Sequence, residues 1–140
     1  MTILVTGGSS MVGKHLQKIL PKAIYLSSKE CDLQNREHTT KLFKQIKPQT
    51  VIHLAAKVGG IMDNIKNPVN FFDDNILINT NTVKAAYECG ASKFIGILST
   101  CIYPDKLKKN EYPISEEILH NGPPTPTNFA YGYAKRCLAV

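Results

Sequence analysis

The stretch Ile3-Leu4-Val5-Thr6-Gly7-Gly8-Ser9-Ser10-Met11-Val12-Gly13 limits what this chain can fold into more than any other. An apolar run of strand length breaks into a glycine turn, and Val12, Leu16, Ile19 and Leu20 follow at helical spacing. Strand, turn and helix in that order aim a helix N-terminus, with its free backbone N–H groups, at a phosphate. Gly7 permits the sharp exit from the strand, and Gly13 lets the helix lie close on the sheet. The segment Gly7, Gly8, Ser9, Ser10, Met11, Val12, Gly13 is therefore the expected cradle of a dinucleotide diphosphate. Where a Gly-x-x-Gly-x-x-Gly spacing would place its middle glycine, this chain has Ser10, whose hydroxymethyl group either crowds the diphosphate or donates a hydrogen bond to it. A glycine-rich turn that holds no ligand is the other reading.

Pro21 stops the first helix, and Ile24-Tyr25-Leu26-Ser27 reads as a short second strand. A dinucleotide fold places an acidic residue at about this point to hold the adenosine ribose. Here Ser27-Ser28-Lys29 stands in that place, and two hydroxyls with a cation suit a 2′-phosphate better than a carboxylate would. NADP is expected over NAD, with Ser28 and Lys29 on the phosphate and Asp32 and Leu33 along the adenine; an exposed polar turn is the alternative. Leu42, Phe43 and Ile46 mark a helix from Arg36 to Ile46 that Pro48 closes. Thr50 to Ala56 is a third strand, apolar as strands covered on both faces are, and Leu54, Ala55 and Ala56 at its end leave room for a cofactor. Gly59-Gly60 reads as a flexible loop. Asn67-Pro68 starts a long helix that Gly90 ends, and Phe94 to Ser99 is the fourth strand. The alternation predicts a Rossmann-type α/β fold, a doubly wound parallel sheet in strand order 3-2-1-4. The proline-rich segment from Tyr103 to Asn128 breaks that rhythm, and a last helix starts near Phe129.

Among 140 residues, 43% apolar and 20% charged, no apolar run reaches the ~20 residues of a membrane helix. A first strand at residue 3 leaves no room for a leader, and Cys31, Cys89, Cys101 and Cys137 form no Cys-x-x-Cys pair. These features predict a cytoplasmic protein without zinc, any other metal or a disulfide framework. Lys and Arg exceed Asp and Glu by six, but the lysines are dispersed apart from Lys106, Lys108 and Lys109. A charged nucleotide ligand explains the excess as well as nucleic acid does, and neither a nucleic acid nor a membrane is the expected partner.

Tyr131 and Lys135 stand four apart on the last helix and project from one face. An ammonium about 5 Å from a phenol at an effective dielectric near 20 is worth ~3 kcal/mol, which would lower the phenol by roughly two pH units. An incidental surface pair is the alternative. Ser99, Thr100 and Cys101 follow the fourth strand, on the carboxyl edge where open parallel sheets bind ligands. A hydroxyl there would share a substrate carbonyl with Tyr131, and a thiol can pass a proton to or from a carbon beside that carbonyl. A plain buried cysteine is the other reading.

Taken together, Val5-Thr-Gly-Gly-Ser with Met11-Val-Gly, His53-Leu-Ala-Ala before Val58-Gly-Gly, Ser99-Thr-Cys-Ile-Tyr-Pro, His120-Asn-Gly-Pro-Pro and Tyr131-x-x-x-Lys135 resemble the N-terminal part of the GDP-4-keto-6-deoxy-mannose epimerase/reductases of the extended short-chain dehydrogenase/reductase family. The resemblance implies NADPH on the glycine turn, 3,5-epimerisation of the keto sugar and 4-reduction to GDP-L-fucose. It makes Tyr131 the proton donor, with Lys135 lowering its pKa and both residues on the nicotinamide ribose. Ser99 would bind the keto oxygen, and Cys101 would be one of two acid/base groups. Val58, Gly59, Asn121 and Asn128 would lie near the sugar nucleotide. It also implies that the 140 residues are an incomplete NADP-binding domain, inactive alone, without the GDP-sugar domain and the histidine that partners Cys101. His15, His38, His53 and His120 do not match that histidine's position. An outer fourth strand with apolar Phe94, Ile95, Ile97 and Leu98 predicts that the chain self-associates there or is a fragment of a longer product, and a homodimer is the expected assembly. A non-catalytic dinucleotide-binding module, or another nucleotide-sugar epimerase, dehydratase or reductase, remains the alternative.

Overall fold

The computed structural model describes residues 1–140. One parallel sheet contains β1 (Ile3–Thr6), β2 (Ile24–Leu26), β3 (Thr50–His53) and β4 (Lys93–Gly96). Five α-helices accompany it: α1 (Met11–Ile19), α2 (Arg36–Ile46), α3 (Ile61–Lys66), α4 (Pro68–Glu88) and α5 (Phe129–Leu138). Leu4 and Val5 point to opposite faces of β1, and both are fully buried. A strand covered on both faces is what the unbroken apolar run implies.

The spatial order is β2-β1-β3-β4, which corrects the expected 3-2-1-4. Parallel neighbours need only a crossover helix between them, so the alternation of strands and helices does not choose the side of β1 on which the strand after α2 lands. Residues 27–35 close into turns, with the Glu30 and Cys31 N–H groups on Ser27 O and the Gln34 N–H on Asp32 Oδ1. Asn35 then caps α2 by accepting from His38 N. The strand after α2 lands on the side of β1 away from β2, where Thr6 pairs with His53 and their side chains share a 2.7 Å hydrogen bond. The strands β2, β3 and β4 also end earlier than their apolar runs, at Leu26, His53 and Gly96. The short α3 stands where the sequence reads as a flexible loop. β4 is an outer strand as expected, and Ile95, Ile97 and Leu98 are exposed there.

The chain divides into two compact units, Met1–Ala56 with Leu77–Ile97, and Lys57–Ile76 with Leu98–Val140. The core of the first unit joins Leu4, Leu26 and Val51 of the strands to Phe43 of α2 and to Ala85 and Ala86 of α4. His53, fully buried, ties three elements of this unit together. Its Nδ1 lies 2.7 Å from Thr6 Oγ1 and its Nε2 3.1 Å from Asn79 Oδ1. In the second unit, residues 103–128 contain no strand or α-helix and fold through short 3₁₀ turns at Lys109–Glu111, Glu116–Ile118 and Pro126–Asn128. No helix is long and apolar enough to cross a membrane.

Candidate active site

The predicted residues fall into two groups, one in each unit. In the first unit the chain leaves β1 through Gly7, whose φ of 70° is open to glycine at no steric cost. A Cβ at Gly7 would sit 2.8 Å from Ala55 N, so the turn lies directly on the backbone of Leu54 and Ala55. Gly8 packs as tightly on the second strand, with its N–H on Leu26 O at 2.7 Å. Gly13 lies against the turn itself, where a Cβ would meet the carbonyl oxygens of Gly7 and Gly8 at 2.6 Å. Gly7–Gly13, Leu54, Ala55 and the end of β2 thus converge on the carboxyl edge of the sheet.

Ser10 is the N-cap of α1, and its hydroxyl accepts from Gly13 N at 3.1 Å. The oxygen is turned back onto the helix, and Ser9, Met11 and Val12 are exposed around it. The N–H groups of Met11 and Val12 belong to the first turn, before any intrahelical acceptor is available. A diphosphate fits this cradle: the turn is open, its backbone donors face outward, and no acidic side chain stands among residues 7–13. At the end of β2, Ser28 and Lys29 are exposed. The Glu30 carboxylate takes the Ser27 N–H at 2.7 Å and the Ser27 hydroxyl, which together hold it below the usual carboxylate range. Asp32 is exposed, whereas Leu33 is buried and its carbonyl accepts from Asn81 Nδ2 at 2.9 Å.

In the second unit, α5 and the 3₁₀ turn Thr100–Ile102 bring four predicted residues together. Ser99 caps that turn, its hydroxyl accepting from Cys101 N at 3.2 Å. Ser99 is also hydrogen-bonded to Tyr131, and Cys101 lies close enough for its charge to act on that phenol. A Cβ at Gly132 would be 2.7 Å from Cys101 O, and Arg136 Nε donates to Ile102 O, so α5 grips the turn from both sides. Arg136 is itself buried against Tyr133, and its Nη2 has no hydrogen-bond partner within the chain. Burial brings the Lys135 ammonium down to about 8.

Tyr131 is held above the usual phenol value, which corrects the expectation that Lys135 lowers it. Burial is the larger cause and Cys101 adds to it, while the Ser99 hydrogen bond pulls the other way. Burial and the neighbouring thiol, not the amine four residues along, set the direction.

Asn128 Nδ2 donates to Cys101 Sγ at 3.3 Å, whereas Asn121 is exposed in a turn with its N–H on Ile118 O and shares no hydrogen bond with this cluster. Val58 and Gly59 lie in an exposed loop held by residues that composition and motif do not flag. Asn75, fully buried, donates to Lys57 O and accepts from Lys57 N, each at 3.0 Å. Asn64 donates to Gly59 O at 3.2 Å. The available signal for Asn75 is its place four residues after buried Phe71 on α4, where a polar side chain interrupts an inward-facing stripe.

The sequence model of the NAD dependent epimerase/dehydratase family matches residues 3–140. The chain is 47% identical to a GDP-L-fucose synthase of Dictyostelium discoideum, covering 99% of this chain and 45% of that protein. It is 45% identical to a probable GDP-L-fucose synthase of Drosophila melanogaster, covering 99% and 44%. A GDP-L-fucose synthetase from Naegleria fowleri bound to NADP superposes with a TM-score of 0.87 at 43% identity, over 98% of this chain and 45% of that one. A GDP-mannoheptose C4 reductase from Campylobacter jejuni with NADP bound superposes at 0.90 and 25% identity, over 99% and 44%. This chain spans less than half the length of these relatives.

Proposed function

The chain belongs to the NAD dependent epimerase/dehydratase family, and from that premise we propose that it is the N-terminal part of a cytoplasmic, NADPH-dependent enzyme that epimerises GDP-4-keto-6-deoxy-mannose at C3 and C5 and reduces it at C4 to GDP-L-fucose. The observation that carries this reading is the meeting of a hydroxyl, a phenol and a thiol at Ser99, Tyr131 and Cys101. A simple ketone reductase needs the first two and has no use for the third.

Gly7 to Gly13 hold the diphosphate through backbone donors, and Lys29 with Ser28 takes the 2′-phosphate. Leu54, Ala55 and Ala56 border the cofactor, with Asp32 and the backbone at Leu33 toward the adenine. When bound, NADPH supplies the hydride that reduces the C4 carbon. Tyr131 gives its proton to the C4 oxygen, and a phenol held protonated by burial is suited to donate at neutral pH. Ser99 takes the same keto oxygen, while Lys135 serves the nicotinamide ribose. C3 and C5 flank the ketone, which acidifies their C–H bonds; Cys101 serves one face as one of the two acid/base groups that inversion needs, and its partner on the opposite face lies outside these 140 residues. Val58, Gly59, Asn121 and Asn128 line the sugar nucleotide.

The NADP-bound state of the Naegleria relative supports the choice of cofactor. The test is turnover of GDP-4-keto-6-deoxy-mannose with NADPH in deuterated water. Deuterium at C3 and C5 of a C4-reduced product is expected, and Cys101→Ser should lose the label while retaining NADPH binding. Absence of NADPH binding overturns the reading. NADPH oxidation without label, on this or a heptose substrate, selects instead a GDP-sugar C4 reductase, which the likeness to the Campylobacter enzyme favours. A homodimer completes the proposal, and sedimentation of the full-length protein as a monomer would remove it.

A further inference from the structure

We propose that Asn128 is a positioning residue for the epimerising sulfur: its carboxamide donates to Cys101 Sγ at 3.3 Å and so fixes where that sulfur points. This rests on the assignment of Cys101 as an acid/base group. It gives Asn128 a task different from contact with the sugar, and it follows from how completely the rest of Cys101 is already held. Its N–H is taken by Ser99 Oγ at 3.2 Å, and its carbonyl lies against the backbone of Gly132. Rotation about χ1 is the freedom that remains, and the Asn128 bond is the contact that removes it.

Asn128 is itself anchored. Its backbone N–H donates to Thr125 O at 3.1 Å, and it closes the turn Pro126–Asn128 immediately before α5. The residue that holds the sulfur is therefore three positions from the phenol on a continuous stretch of backbone. The donor is also chemically apt. A carboxamide N–H bonds more strongly to a thiolate than to a thiol, yet carries no charge that would trap the anion. A sulfur that must serve two carbons needs a defined position and a reversible proton, and a neutral donor supplies the first without abolishing the second.

The test compares Asn128→Ala and Asn128→Asp with the unaltered full-length protein. Alkylation by iodoacetamide is followed across pH, with peptide mass spectrometry separating Cys101 from exposed Cys137 and half-buried Cys89. The pH midpoint at Cys101 should rise by about half a unit in Asn128→Ala, or about threefold slower alkylation at neutral pH. It should rise further in Asn128→Asp, whose carboxylate opposes a thiolate, and this near-isosteric variant keeps the result readable if the alanine variant folds poorly. A purely structural residue would leave the midpoint in place, and coincident midpoints in the three proteins overturn the proposal. Deuterium uptake at C3 and C5 in Cys101→Ser reads the parent assignment separately. Unchanged uptake there would remove Cys101 as an acid/base group, while the alkylation profile would still decide whether Asn128 holds the sulfur.

Discussion

The glycine turn of residues 7–13 and the cluster around Tyr131 are built on opposite physical principles. The turn works by what it lacks: at Gly7, Gly8 and Gly13 a Cβ would come within 2.8 Å of a neighbouring atom, and no ionisable group lies among its residues. The cluster works by side chains, with a phenol, a thiol, an ammonium and a guanidinium gathered in one unit and two of them, Lys135 and Arg136, almost wholly buried. A backbone cradle is indifferent to pH and intolerant of added volume. A buried ionisable cluster is the reverse, since its geometry admits conservative changes but its proton affinities are set by surroundings that any change disturbs. The two regions should therefore fail in different ways when altered.

The largest effect is expected at Tyr131→Phe. Loss of the proton donor should lower NADPH oxidation by about 10²- to 10⁴-fold, with NADPH affinity held within about threefold because the turn is untouched. Stopped-flow turnover beside fluorescence titration of the cofactor separates the two quantities. A large fall in affinity would show that the phenol does the turn's work, and the contrast would collapse.

Gly13→Ala comes next and should fail the other way. The new methyl meets two backbone carbonyl oxygens at 2.6 Å, neither of which can swing aside as a side-chain tip would. Overpacking of this kind costs about 1–3 kcal/mol, and the upper end applies here. Thermal unfolding should show the loss and NADPH binding should weaken, while the reactivity of Cys101 toward iodoacetamide stays as it was. A native melting curve would mean that the turn is looser than a backbone cradle allows.

The cluster should reveal itself through pH. Lys135 titrates near 8 in the folded chain and near 10.5 unfolded, so between those values the unfolded chain binds more protons and stability rises with pH. Tyr131 acts only above its ordinary value of about 10, and there in the opposite sense, because a raised folded pKa makes the unfolded phenol ionise first. From pH 8 to 10 the gain should be about 2 kcal/mol, and Lys135→Met should abolish it. A flat denaturation profile across that window in the unaltered protein would mean that the amine is solvated.

The same contrast explains what the sequence discloses. Backbone requirements are written in residue type: glycines at 7 and 13, Asn35 and Pro48 bracketing α2, Pro68 and left-handed Gly90 bracketing α4. Those elements lie close to where periodicity puts them. α3 escapes notice because six residues hold fewer than two turns of helical period, and it sits between Gly60, which reads as loop, and Pro68, which reads as the start of the next helix. The strand order goes astray because alternating strands and helices announce a parallel sheet but not on which side of β1 the strand after α2 is added; the pairing of Thr6 with His53 is a tertiary fact. The Tyr131–Lys135 pair is legible as residues at a spacing, but the direction of the phenol's shift is not. A Coulomb estimate at four residues' separation leaves out the cost of burying the phenolate, and that cost sets the sign.

Ser10 gives the smallest effect and the sharpest test of the turn. By spacing it is a misplaced side chain; in the folded chain its hydroxyl accepts from Gly13 N at 3.1 Å and caps α1. Replacing an N-cap serine by glycine costs only a few tenths of a kcal/mol, whereas alanine costs about 1. Ser10→Gly should therefore melt within about 2 °C of the unaltered chain. It also releases the Gly13 N–H, so NADPH affinity should rise by about two- to threefold, the worth of roughly half of a neutral hydrogen bond. Ser10→Ala should melt lower than Ser10→Gly, by the difference between the two capping costs. A tenfold fall in affinity on Ser10→Gly would make the hydroxyl a ligand donor in its own right. The turn would then act through a side chain after all, and the line drawn between the two regions would have to move.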